Sequence, residues 1–255
     1  MILYFTATGN TQYAAQRIAE ATKDSVFSIR TCMRMGYTAF HLQKNENFGI
    51  VMPTYFQGVP LFLRDFIENL TLTMDGSNHY AYAVATCGVS YGNFGSEAVH
   101  AAEKAGIHLD ATFRIRMVDN WNPYFDMTDK AFIDAAEKRA ETDLEEVCAD
   151  ILNKKGVYLP DSFDRKQEAE LADSYEESRK TQLFKVNDTC FGCGLCAGQC
   201  PVGAIEMQDK KPVWIKEKCL LCLGCVHKCP RNAIAYTDDT IGHGQYINPH
   251  ISEIK

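Results

Sequence analysis

Eight of the eleven cysteines fall into two copies of one spacing, Cys190-x-x-Cys193-x-x-Cys196-x-x-x-Cys200-Pro201 and Cys219-x-x-Cys222-x-x-Cys225-x-x-x-Cys229-Pro230. The copies lie 29 residues apart, and the same offset relates Ala204-Ile205 to Ala233-Ile234, so this part of the chain is an internal repeat. A tight loop with a thiolate at every third residue presents three soft ligands to one centre. The fourth cysteine, set apart by Gly198 and Gln199 in the first copy and stopped by proline, points elsewhere. Tetrahedral zinc is the obvious competitor, but zinc sites use two Cys-x-x-Cys pairs separated by a spacer, and here a third and fourth cysteine follow at once. Disulfides belong to oxidising compartments and small secreted domains. The first apolar stretch, Ile2 to Phe5, is too short for a secretory signal and has no cation before it. So small a repeat lacks apolar bulk, and bound centres must serve as its core.

The two runs resemble those of bacterial-type ferredoxins, in which three cysteines hold one 4Fe-4S cluster and the fourth crosses to the other. The resemblance implies two 4Fe-4S clusters. Cluster I would take Cys190, Cys193, Cys196 and Cys229; cluster II would take Cys219, Cys222, Cys225 and Cys200.

At 255 residues and 46% hydrophobic content the chain suits one large domain or two smaller ones with a proper core. A net charge of −7 argues against nucleic acid as a partner. No apolar run approaches the roughly twenty residues of a membrane span, and a cytoplasmic protein is expected. Composition divides the sequence into a globular part at 1–157, a charged linker or exposed helix at 158–183, and the cysteine-rich part at 184–255.

The globular part opens with a strand, Ile2 to Phe5, that runs into Thr6-Ala7-Thr8-Gly9-Asn10-Thr11 and then a helical pattern, Tyr13 to Ala21. A strand, a small polar loop and a helix start make a phosphate site, because amides and hydroxyls converge where the helix dipole favours an anion. The P-loop ending and the Gly-x-Gly-x-x-Gly fingerprint are both absent, and no nicotinamide site is evident. Further strands are predicted at Ser25–Ile29, Phe48–Met52, Tyr80–Thr86 and Thr112–Val118, with helices near Leu61–Leu70, Ser96–Ala105 and Thr128–Asn153. This alternation predicts an α/β doubly wound five-stranded parallel sheet, with a ligand site beyond the carboxyl ends of its strands.

The first loop is similar to the FMN phosphate loop of flavodoxins, and residues 1–157 resemble a flavodoxin. The whole chain resembles the flavodoxin–ferredoxin fusion proteins of anaerobic microbes, with the ferredoxin as a second, smaller α+β domain. The resemblance implies FMN bound by Thr6, Thr8, Gly9, Asn10 and Thr11, by Pro53, Thr54, Tyr55, Phe56 and Gly58, and by Thr86, Cys87, Gly88, Tyr91, Asn93 and Gly95. Tyr55 and Tyr91 best match the aromatic residues that cover the flavin ring, although the second loop lacks the tryptophan of many flavodoxins. Gly58 reads either as the glycine whose peptide flips toward the reduced ring or as a plain turn glycine.

Other residues carry a functional and a plain reading. Trp121 and Tyr124 follow the last strand, where they close the pocket, face the ferredoxin, or pack as ordinary aromatics. Cys32 falls in a polar connection, Cys87 at a strand end and Cys148 on the last long helix; free cysteines usually act as small hydrophobes. His227 lies inside the second cysteine loop and reads as a solvated side chain. The segment Gly244 to Ile251 resembles a tail of these fusions and has no assigned role.

The resemblance implies an electron-transfer iron–sulfur flavoprotein joining one-electron clusters to a flavin that holds one or two electrons, on a covalent link that replaces diffusional encounter. Its partner would be a redox protein, donor or acceptor; flavodoxin relatives occur as monomers and as assemblies. The alternative is an FMN-dependent reductase of a small substrate fed by the clusters, which requires a proton donor near the ring. The three loops contain no histidine. A third reading is a redox sensor, in which cluster loss or flavin reduction changes binding to a partner; no DNA-binding motif supports it.

Overall fold

The computed structural model describes residues 1–76 and 79–254. In chain order the elements are β1 (Ile2–Tyr4), α1 (Asn10–Thr22), β2 (Val26–Ser28), α2 (Ile29–Met35), β3 (Ala39–Leu42), β4 (Phe48–Pro53), α3 (Leu61–Glu68) and β5 (Thr71–Met74). Then come β6 (Ala81–Cys87), α4 (Phe94–Lys104), β7 (Ala111–Arg116), α5 (Lys130–Leu152) and α6 (Arg165–Ser178). The carboxyl-terminal part holds β8 (Phe184–Val186), α7 (Leu195–Gly198), β9 (Ile205–Gln208), β10 (Lys211–Trp214), α8 (Gly224–His227) and β11 (Ile234–Tyr236).

Five strands form one parallel sheet in the order β2-β1-β4-β6-β7. Its central strands read as unbroken apolar runs, and β6 is buried at every position, because a parallel sheet is covered on both faces. Alternation sorts the side chains. Leu3, Ile50, Met52, Ala83 and Ala85 meet α3 and α4 on one face. Ile2, Tyr4, Val51, Tyr82 and Val84 meet α1 and α5 on the other. The predicted doubly wound fold is therefore present.

Three elements of the globular part, α2, β3 and β5, escaped the sequence reading. Residues 29–35 form α2, because Ile29 and Cys32 sit three apart on one helical face and bury themselves; Cys32 is a core residue instead of part of a polar connection. A small parallel pair, β3 with β5, flanks the main sheet.

In the smaller part β8 pairs with β11 and β9 with β10, both antiparallel, and α7 and α8 lie 29 residues apart like the cysteines. The charged stretch after residue 157 contains α6, started by a capping box between Asp164 and Gln167. One residue of α6 turns inward: Tyr175 is buried, and its hydroxyl donates to the Leu220 carbonyl at 2.9 Å.

Aromatic rings tie the two parts together. Tyr175 packs on Phe56 at 5.2 Å between centroids, Phe56 on Trp121 at 5.8 Å, Trp121 on Tyr236 at 5.6 Å, and Tyr236 on Phe184 at 5.2 Å. Such pairs add to simple area burial, and they run from α6 through the sheet's loops into the cysteine-rich part.

Candidate functional site

A cavity of about 460 Å³ opens at the carboxyl edge of the main sheet, within the range of roughly 300–1,000 Å³ usual for small-molecule sites. Its first wall is the loop between β1 and α1. Gly9 takes φ 100° at the helix cap, and its amide donates to Thr6 Oγ1 at 3.0 Å. Thr11 Oγ1 meets Thr86 Oγ1 at 2.7 Å, which ties the helix start to β6. Asn10 Nδ2 donates to the Val118 carbonyl at 3.0 Å, and Asn120 Nδ2 donates to Thr8 Oγ1. The first amides of α1 have no intrahelical acceptor, and the cavity they border suits an anion.

The second wall is residues 53–57. Tyr55 and Gly58 exchange backbone hydrogen bonds of 3.1 and 3.2 Å around a two-residue turn. Both central residues are left-handed, Phe56 at φ 48° and Gln57 at 69°, where glycine or asparagine is usual. Gly92 locks the turn: a Cβ there would lie 1.7 Å from the Gln57 carbonyl oxygen. Gln57 Oε1 is buried on this wall without a hydrogen-bond partner, as expected of a group kept for a ligand. Gly58 has a different task, since Glu97 reaches over it to accept from the Val59 amide at 2.7 Å and to pair with Arg64 at 2.9 Å.

Thr86, Cys87 and Gly88 form the third wall. Burial pushes the Cys87 thiol up to about 12, so it stays protonated and behaves as a small hydrophobe. The fourth wall follows β7 and includes Asp119, Trp121 and Tyr124. Asp119 packs against Gly88, accepts from the Trp121 amide at 3.1 Å, and is raised above the usual carboxylate range by burial. Asp119 was not singled out by sequence reasoning; its signal was its place at the carboxyl end of the last strand.

Of the expected FMN residues, Thr6, Thr8, Asn10, Thr11, Pro53, Thr54, Tyr55, Phe56, Thr86, Cys87 and Gly88 line this cavity together. Gly9 caps α1 behind it. Tyr91, Asn93 and Gly95 lie away from the wall. The Arg114 guanidinium sits 5.4 Å over the Tyr91 ring. Asn93 accepts from the amides of Ser162 and Phe163, and the Leu159 carbonyl abuts Gly95. Asn93 and Gly95 hold the chain leading into α6.

The last wall comes from the cysteine-rich part: Leu221, Cys222 and Leu223, with Leu171 of α6. Cys222 also borders a second, smaller cavity with Cys196, Cys200, Cys219 and Cys225, flanked by Arg30 and Lys228. All of these but Cys196, which belongs to the other expected set, are the thiols expected to share a cluster. Burial first, then the neighbouring thiols, raise Cys219 to about 12 and Cys225 well above its ordinary value; such thiols ionise when bound iron compensates the charge. Among the other four, Cys196 feels Cys193 and Cys229, and Cys193 is exposed. The two copies also place matching amides on sulfur: Ala204 donates to Cys200 Sγ at 3.2 Å and Ala233 to Cys229 Sγ at 3.3 Å. Among the described residues no three Cys, His, Asp or Glu side chains converge on a single-ion site.

His227 is not solvated. It is 2% exposed, its Nε2 donates to the Asn120 carbonyl at 2.8 Å, and its Nδ1 accepts from the Tyr246 amide at 3.2 Å. Burial lowers it to about 4, so the ring is a neutral strut between the two parts.

A flavodoxin family model matches residues 2–118, and a 4Fe-4S dicluster domain model matches residues 182–230. An uncharacterized ferredoxin of Methanocaldococcus jannaschii is 34% identical over 96 residues, covering 34% of this chain and 55% of that one. The chain thus spans about half the length of that relative. A ferredoxin of Methanothermococcus thermolithotrophicus is 42% identical over 50 residues, 18% of this chain and 83% of the ferredoxin. A short-chain flavodoxin associated with a PDU bacterial microcompartment overlays with a TM-score of 0.33 at 19% identity, covering 58% of this chain and 96% of that one. Among the described residues no helix is long and apolar enough to cross a membrane. With a flavodoxin domain leading into a 4Fe-4S dicluster domain, the chain has the flavodoxin–ferredoxin fusion architecture of an electron-transfer iron–sulfur flavoprotein.

Proposed function

We propose that the chain carries FMN and two 4Fe-4S clusters and relays electrons between a redox partner and the flavin. Cys190, Cys193, Cys196 and Cys229 hold cluster I; Cys200, Cys219, Cys222 and Cys225 hold cluster II. FMN fits the larger cavity, with its phosphate at Thr6–Thr11 and Gln57 and Asp119 available to ring or ribityl polar atoms. The clusters supply one-electron chemistry, and the flavin collects one or two electrons.

The observation that carries this reading is the double position of Cys222, on the wall of both cavities. It supports an order with cluster II beside the flavin and cluster I, with its exposed Cys193, facing the partner. Arg30 and Lys228 beside the second cage place positive charge there, which raises a cluster's potential and favours inward electron flow. A cytoplasmic setting that keeps thiols reduced suits the eight cysteines.

Anaerobically purified protein is expected to hold about one flavin and eight iron per chain, with both chromophores bleaching in one connected reductive titration. Cys193→Ser should lower iron while leaving cluster II able to reduce the flavin; Cys222→Ser should cut the flavin off from cluster I. Zinc in place of iron would overturn the reading.

Asp119 supports a second reading, a reductase of a small substrate, because a buried carboxyl on the flavin cavity is the proton donor that the three loops lack. Under that reading Asp119→Asn abolishes turnover of a small quinone while reduction of the flavin through the clusters persists.

A further inference from the structure

Residues 243–250 cross from the cysteine-rich part to the back of the phosphate loop, and each end of the crossing is hydrogen-bonded. At the near end Gln245 Nε2 donates to the carbonyls of Val226 and Cys229, and the Tyr246 amide donates to His227, all within or beside the second cysteine loop. At the far end Tyr246 Oη and Asn248 Nδ2 both donate to Asn10 Oδ1 at 3.0 Å, and the Asn248 amide donates to the Thr8 carbonyl at 2.8 Å. Tyr246 and Asn248 are buried. Gly9 admits this approach, since a Cβ there would lie 3.0 Å from Asn248 Cβ.

These bonds act on the loop's backbone. A trans peptide is planar, with its carbonyl and amide on opposite sides, so holding the Thr8 carbonyl at the rear, with the Gly9 amide on Thr6 Oγ1, fixes the peptide from which the first amides of α1 depart. Asn10, with Nδ2 on Val118 and Oδ1 shared by Tyr246 and Asn248, fixes the first residue of α1. An anion site made of backbone amides depends on such orientation.

We propose that Tyr246 and Asn248 are positioning residues for the phosphate loop, and that through them affinity for the flavin's phosphate monoester depends on an intact second cysteine loop. The proposal rests on the FMN reading of the cavity. Linkage then requires the converse, that bound FMN stabilises the second cysteine loop.

The test is flavin affinity, read by fluorescence, in cluster-replete wild type, Tyr246→Phe and Asn248→Ala, each with FMN and with riboflavin, which lacks the phosphate. FMN affinity is expected to fall about tenfold in Asn248→Ala, equivalent to about 1.4 kcal/mol, and several-fold in Tyr246→Phe, with riboflavin affinity unchanged. Tyr246→Phe keeps the ring and removes only the hydroxyl, so it reports even if Asn248→Ala misfolds. Stripping iron with a chelator should weaken FMN binding in wild type and add little in Asn248→Ala. Equal losses for both flavins, or no loss for FMN, would overturn the positioning role. Unchanged FMN affinity after iron removal would overturn the coupling. A wild type that binds neither flavin would instead sink the FMN reading itself.

Discussion

Leu223 caps α8 with φ 53° at the position that Gly194, 29 residues earlier, fills at the cap of α7 with φ 75°. The same exchange relates Leu221 at 52° to Gly192 at 81°. A left-handed leucine costs roughly 1–2 kcal/mol, whereas burying its side chain contributes about 1.5–3 kcal/mol. Both leucines are buried, and both form the flavin cavity's wall. The second copy therefore trades an easy backbone for an apolar barrier between cavity and cage.

Leu223→Gly should relax the backbone yet lower stability by about 0.5–1 kcal/mol, the remainder after lost burial is set against relieved strain. It should also slow flavin reduction through the clusters, as rapid mixing under anaerobic conditions would record. Unchanged stability together with unchanged transfer would contradict the barrier role.

Gly92→Ala brings a Cβ against the Gln57 carbonyl at a residue with φ 59°. The turn from Tyr55 to Gly58 has to move, at a cost of more than about 2 kcal/mol. Purified protein is expected to retain its iron and lose its flavin, which elemental analysis and the visible spectrum would separate.

Glu97 sits higher than an ordinary carboxylate, because burial outweighs the Arg64 charge and the Val59 amide. Its folded form holds a proton more tightly than the unfolded chain, so its contribution to stability is complete below the unfolded value near 4.5 and is lost as pH rises through the folded value. Urea midpoints measured from pH 5 upward should show this decline in wild type. Glu97→Gln should flatten it while keeping an acceptor for the Val59 amide.

Asp143 on α5 accepts three bonds from Arg116: from the backbone amide and Nε at 2.8 Å, and from Nη2 at 2.6 Å. This pair anchors the end of β7, from which the Asp119–Trp121 wall departs. Asp143→Ala should cost about 2–4 kcal/mol by leaving the guanidinium and amide without acceptors, with Asp143→Asn intermediate. Thermal unfolding followed by circular dichroism would rank the two.

The cysteine repeat and the loop between β1 and α1 were legible because their patterns are local: the cysteines recur within eleven residues, and Thr6 to Thr11 are consecutive. The central strands were legible because parallel strands covered on both faces are continuous apolar runs. Tyr91, Asn93 and Gly95 were read toward the flavin because a glycine-rich βα loop looks the same whether it faces a ring or a neighbouring chain. The neighbours of Asn93 and Gly95, Leu159 to Phe163, lie some seventy residues away in sequence, and Tyr91 meets Arg114 of β7. His227 was misread for a similar reason, since both of its partners, Asn120 and Tyr246, come from distant segments. The left-handed leucines left no local trace, because only superposing the repeats reveals that glycine is missing.

The ring-to-ring strap from Tyr175 through Phe56, Trp121 and Tyr236 to Phe184 bears on kinetics. A ferredoxin swinging on a flexible tether would visit the flavin intermittently, and its transfer rate would be gated by diffusion and slowed by glycerol. With aromatic packing bolting the halves together, donor and acceptor keep one separation, and transfer between them should decay as a single exponential indifferent to solvent viscosity.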